Sequence, residues 1–134
     1  MDLLARREHS YQELHRKLVA RFEAPDLIRI ELDRLREERL QSDVRFAEAY
    51  IHSRAQRLYG PLRIRIELRE RGIADSIIAN AMQHSDVDWQ ANLLTLVRNK
   101  FGGAAPADLK EKAKRLRFLQ YRGFVGEDAR ALFD

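Results

Sequence analysis

The chain has no cysteine, which removes disulfide bonds, thiolate nucleophiles and cysteine-based metal sites together. Long apolar runs are missing too. None approaches the ~20 residues needed to span a bilayer, and the opening stretch Met1-Asp2-Leu3-Leu4-Ala5-Arg6 is too short and too charged for a signal peptide. A soluble, cytoplasmic protein is expected, with no membrane partner. Signatures of catalysis are equally scarce: there is no G-x-G-x-x-G, no P-loop, no G-x-S-x-G and no pair of carboxylates in an apolar setting. The four histidines, His9, His15, His52 and His84, form no i, i+4 pair. Only His84-Ser-Asp86-Val-Asp88 resembles a ligand cluster, and it reads better as a helix end followed by an aspartate cap. No enzyme activity, metal or other cofactor is expected.

What the chain does have is charge and repetition. Twenty-five basic residues face 21 acidic ones, for a net charge of +4, and 34% of the chain is charged. Residues 31–48 are mostly acidic or mixed, whereas 54–71 and 98–122 are strongly basic. That asymmetry points to a polyanion or an acidic protein groove as partner, although solvated surface helices carry similar charge runs. The phrase Leu68-Arg-Glu-Arg71-Gly72-Ile73 returns about fifty residues later as Leu119-Gln-Tyr-Arg122-Gly123-Phe124. A degraded copy, Leu18-Val-Ala-Arg21-Phe22, lies upstream at a similar spacing. A period of this length marks stacked supersecondary units, each leaving an apolar face for its neighbour to cover.

Local signals are helical. Ser10-Tyr-Gln-Glu13 is a capping box, Asp108-Leu-Lys-Glu111 repeats its logic, and Pro61 suits a first helical position. Tyr59-Gly60 and Phe101-Gly102 are expected to end helices with a left-handed glycine, as are Gly72 and Gly123. Leu62-Arg-Ile64-Arg-Ile66-Glu-Leu68 alternates like a β-strand. Its counterparts favour a helix, because Tyr11, Leu14 and Leu18 upstream, and Leu109, Ala113 and Leu116 downstream, fall at helical spacing. As a helix it would place Leu62 and Ile66 on one side and Ile64 and Leu68 on the other, and would be sandwiched between neighbours. The expected fold is all-α: three tandem three-helix units in one curved, elongated, solenoid-like domain over 1–134, with repeats at 1–41, 42–85 and 86–134. The expected helices are 2–8, 11–21 and 26–38, then 43–58, 61–71 and 75–84, then 88–100, 109–122 and 126–133. Only 102–106 reads as a linker.

Binding residues follow from the charge. On the 109–122 helix, Lys110, Lys114, Arg117 and Tyr121 make one stripe that suits phosphates or an acidic surface, opposite a core face of Leu109, Ala113, Leu116 and Leu119. Packing of Tyr121 against a neighbouring helix is the competing reading. Around Tyr59 stand Arg54, Arg57, Arg63, Arg65 and Arg69, whose guanidinium forks bind carboxylates or phosphates in bidentate fashion. Glu48, Glu67 and Glu70 lie close enough to engage several of them. Trp89 is read as a plug between repeats, and Phe46 and Tyr50 as core.

Several of these segments carry a resemblance. Arg7-Glu-His-Ser10 with Glu13-Leu14, Asp43-Val-Arg-Phe46-Ala47-Glu-Ala-Tyr50 with Ser53-Arg54, Tyr59-Gly60-Pro61-Leu-Arg-Ile64, Asp88-Trp89 and Arg117-Phe118-Leu119-Gln-Tyr121-Arg122-Gly123-Phe124 together resemble the RecX family of bacterial recombination regulators. The resemblance implies a cytoplasmic, curved protein of three-helix repeats that binds the RecA recombinase filament and mainly inhibits its activities, with DNA as an associated ligand; a monomer is expected. Departures fall in the first repeat, which lacks the glycine found after Arg71 and Arg122 and has Arg39 where relatives often carry glycine. The chain is expected to begin inside a helix, and an upstream extension of the natural protein is left open. The family supplies no catalytic motif, so the site residues rest on charge. A direct DNA-binding domain, using the Tyr59–Arg69 region like a helix-turn-helix, is the rival expectation.

Overall fold

The computed structural model describes residues 25–124 and 126–133. Among them all regular structure is helical: α1 (Pro25–Gln56), α2 (Pro61–Glu70), α3 (Asp75–His84), α4 (Trp89–Phe101), α5 (Leu109–Arg122) and α6 (Gly126–Phe133). The helices expected at 2–8 and 11–21, the Ser10 capping box and the Leu18 copy of the repeat lie outside the described residues. The chain divides into two compact units, 1–46 and 47–134.

One correction concerns α1. Two helices were expected, at 26–38 and 43–58, but a single helix runs through both. The intervening Arg39-Leu40-Gln41-Ser42 contains neither glycine nor proline, and its first three residues are good helix formers. In the first unit, Ile28 and Leu32 are buried with Leu35 against them. Arg34 bridges Glu31, three residues back, and Glu38, four residues on, the latter at 2.6 Å.

In the second unit α1 contributes Ala47, Ile51 and Ala55, an i, i+4, i+8 strip that is almost fully buried. Ile64 and Leu68 of α2, Ile73, and Ile78, Ala81 and Met82 of α3 are buried as well. Leu93, Leu96, Leu119, Phe124 and Ala129 form a second cluster, flanked by Leu58, Val97, Leu116 and Phe118. The alternating 62–68 segment is a helix, but it is not sandwiched. Ile64 and Leu68 are fully buried, whereas Leu62 and Ile66 on the other face are 45% and 48% exposed.

Helix ends follow the caps in part. Asp108 accepts from the Glu111 amide at 2.8 Å and Asp88 from the Ala91 amide at 3.0 Å, each occupying an otherwise orphaned donor. Glu111 reaches the Ala107 amide, one residue beyond the position a reciprocal box would use. Pro61 opens α2. The expected core face of α5 is shifted: Leu109, the first helical residue, is 82% exposed, while Arg115 is buried. Arg115 donates to Glu111 at 2.7 Å and to the Ala104 carbonyl at 2.9 Å, and sits 4.9 Å from the Phe101 ring centre. It thereby ties the 102–106 linker to α5. Phe46 and Tyr50 are half-buried rather than core, and Trp89, read as a plug between repeats, is half-buried as well.

Candidate partner-binding surface

The turn from α1 to α2 sets the geometry of the basic region. Leu58 takes the left-handed conformation, φ 64°, and closes the turn with its amide on the Ala55 carbonyl. Gly60 was expected to be the left-handed residue, but it is extended, φ −87°, ψ 166°. The glycine is needed there for proximity. The Gly60 amide donates to the Arg122 carbonyl at 2.7 Å and the Leu62 amide to the Gly123 carbonyl at 3.0 Å. A Cβ on Gly60 would lie 2.4 Å from the Gly123 carbonyl carbon, and one on Gly123, φ 103°, would lie 2.4 Å from the Arg63 Cβ. Two glycines thus let the start of α2 cross the end of α5 backbone to backbone.

The crossing assembles a polar hub. Glu67 accepts from the Tyr50 hydroxyl at 2.7 Å, from Arg54 Nε and Nη2 at 3.0 and 2.9 Å, and from Arg63 Nε at 3.1 Å. Arg63 also donates to the Tyr121 carbonyl at 3.1 Å. The Arg54 and Arg122 guanidiniums lie 4.1 and 4.0 Å from the Tyr59 ring centre, within cation–π range. Arg63 lies 4.9 Å from Tyr59 and 4.7 Å from Tyr121, and Arg71 lies 4.8 Å from Tyr50. Arg122 donates onward to the Arg57 carbonyl.

Burial alone would raise the Glu67 pKa, but donation from Arg54, Tyr50 and Arg63 outweighs it and holds the carboxyl down at about 2. The same bonds raise Arg54 and Arg63 above the usual arginine value. Burial, then the bond to Glu67, pushes the Tyr50 phenol up. None of these four groups changes protonation near neutral pH, so the hub holds and orients rather than moving protons.

The ten residues nominated from charge therefore divide. Arg54, Tyr59, Arg63 and Tyr121 gather around or above Glu67, and the first three are half-buried there. Arg57 and Arg65 are exposed, and Arg69 is exposed while paired with Asp75 at 3.0 Å. Lys110, Lys114 and Arg117 line the exposed face of α5, ending at Tyr121, which is 70% exposed. Arg122 and Arg71 belong to the hub and were not nominated. Their signal was present in the repeated Arg-Gly phrase, read as a helix end only. Among the described residues no group of three or more His, Asp or Glu gathers to hold a metal, and no helix is long and apolar enough to cross a membrane.

Comparison with known proteins bears on these surfaces. Residues 42–82 match the family model described as RecX, second three-helix domain, and residues 86–133 match RecX, third three-helix domain. The chain belongs to the RecX family. It is 49% identical over 124 residues to the regulatory protein RecX of Pseudomonas savastanoi pv. phaseolicola, covering 92% of this chain and 80% of that one. With the regulatory protein RecX of Pseudomonas fluorescens it shares 49% over 127 residues, 95% and 82% of the two chains. The regulatory protein RecX of Halorhodospira halophila is 43% identical over 131 residues, 98% and 81% of the two chains. These relatives are named as regulatory proteins, and the three-helix architecture of the family agrees with the all-α structure.

Proposed function

We propose that this RecX-family protein is a cytoplasmic, monomeric regulator that binds the RecA recombinase filament and mainly inhibits its ATPase, strand-exchange and SOS-related activities. In this reading the repeats at 1–41, 42–85 and 86–134 form one domain lying along the filament groove or limiting filament growth. The observation that carries it is the α5 stripe, where Lys110, Lys114, Arg117 and Tyr121 stand exposed on one face of a RecX-family chain. Such a stripe supports fast, salt-sensitive association with an acidic surface. Arg57, Arg65 and Arg69 extend the cationic surface, whereas Arg54 and Arg63 serve it by holding the hub.

The test is single-stranded-DNA-dependent ATP hydrolysis by the cognate RecA, titrated with the protein and with a Lys110→Ala, Lys114→Ala, Arg117→Ala variant. Substoichiometric inhibition that the triple change weakens is expected. Inhibition untouched by the change removes the stripe from the interface, and no inhibition at saturation removes the function. The exposed Tyr121 at the end of the stripe favours one second reading, direct DNA binding by stacking and phosphate contact. It predicts tight DNA binding without recombinase and a steep salt slope.

A further inference from the structure

The second half of α1 has two flanks. At ~100° per residue, the buried strip Ala47, Ile51, Ala55 has Tyr50 and Arg54 of the hub on one side and Glu48, His52 and Gln56 on the other. This second flank, the end of α3, the 85–88 turn and the start of α4 enclose an open cleft of about 510 Å³. Ile51, Ala55, Ala81 and Val87 give it apolar surface, and Glu48, Asp86 and Asp88 line it with carboxylates. Among the described residues no lysine or arginine lines it, in a chain that has 25 of them. Its walls are built in: Asn92 Nδ2 donates to the Ala55 carbonyl at 3.3 Å, and Ser85 Oγ to the Met82 carbonyl at 2.9 Å. Asp88 is held as the cap of α4.

We propose that this cleft seats a short basic and aliphatic segment of a protein partner, with a lysine or arginine against Glu48 and Asp86 and a neighbouring aliphatic side chain on Ile51 and Ala81. The volume falls within the range of preformed ligand sites. The carboxylates disfavour a nucleic-acid backbone or any other anion. A bare divalent cation is disfavoured because, among the described residues, no three ligands converge there. A purely apolar occupant would strand the carboxylates without partners, and a purely polar one would leave the apolar surface uncovered. Charge complementarity therefore selects a cationic segment with aliphatic flanks. The site is distinct from the cationic surface of α5 in position and in sign, and does not depend on RecA being the partner.

The test is an amide chemical-shift titration of the full chain with a short, capped peptide of alanine, lysine and leucine, against the same peptide with glutamate for lysine. The expected result is perturbation of Ile51, His52, Ala81 and Val87 by the lysine peptide, with Lys110 to Arg117 unmoved and no response to the glutamate peptide. Glu48→Gln with Asp86→Asn, both at exposed positions, is expected to weaken binding by roughly tenfold. Equal binding of the two peptides, shifts scattered over the surface, no shift at all, or unchanged affinity in the double variant would each overturn the proposal.

Discussion

Glu67→Gln isolates the hub in a single atom change. The Glu67 side chain is 14% exposed and takes four hydrogen bonds, three of them from the guanidiniums of Arg54 and Arg63, whose side chains are only 20% and 26% exposed. Its pKa falls from an ordinary 4.5 to about 2 in the folded chain. At ~1.4 kcal/mol per unit, this makes about 3 kcal/mol of stability depend on the ionised form. Because the folded value is the lower one, the contribution is complete above the unfolded pKa and is lost as pH falls toward 2. The amide keeps the shape and some hydrogen bonding but removes the charge, leaving Arg54 and Arg63 facing a neutral group. Urea unfolding at pH 7 should therefore show a deficit of about 2–3 kcal/mol for the variant. The decisive quantity is the difference between the two proteins across pH, since other carboxylates titrate in both. That gap should close to under about 1 kcal/mol by pH 2.5. A gap that stays constant to pH 2.5, or is under about 0.5 kcal/mol at pH 7, would refute the assignment of Glu67 as the electrostatic centre.

Gly60→Ala places a methyl 2.4 Å from the Gly123 backbone and should destabilise by more than about 3 kcal/mol, read as a lowered urea midpoint. Gly72→Ala offers the comparison: its φ of 83° strains the residue, but among the described residues nothing lies within 4 Å of the new Cβ, so the smaller loss is expected there. Arg115→Ala empties a buried position and frees the Ala104 carbonyl. Faster amide hydrogen exchange at 102–106 and a loss of about 2–4 kcal/mol should follow.

Fold class was legible because the signals agree across levels: repeat, caps at Asp88 and Asp108, and helical spacing of buried positions all point one way. The alternating 62–68 segment shows how a repeat outweighs a local pattern. Its exposed Leu62 and Ile66 show the limit of that argument, since apolar character on a face does not say whether anything covers it. Glycine letters were equally ambiguous. Gly72, Gly102 and Gly123 do take positive φ, whereas Gly60 is glycine because another backbone comes within reach, and Leu58 carries the strain instead. Such proximity is a tertiary fact with no local signature. For the basic residues, sequence spacing put Lys110, Lys114, Arg117 and Tyr121 on one face of α5, and all four are exposed, since one helix determines that. It could not tell which arginines near Tyr59 would turn inward, because Glu67 collects them from α1 and α2 while Arg122 arrives from α5.

Repeat proteins are usually lengthened or shortened a unit at a time, since each unit touches only its neighbours through a generic apolar face. The glycine crossing makes this chain different. Deleting α4 to α6 would orphan the Gly60 and Leu62 amides, remove Arg122 from Tyr59, and strip the Tyr121 carbonyl from Arg63. A transplantable piece of this chain therefore has to carry the three-helix domains matched at 42–82 and 86–133 together, inherited as one.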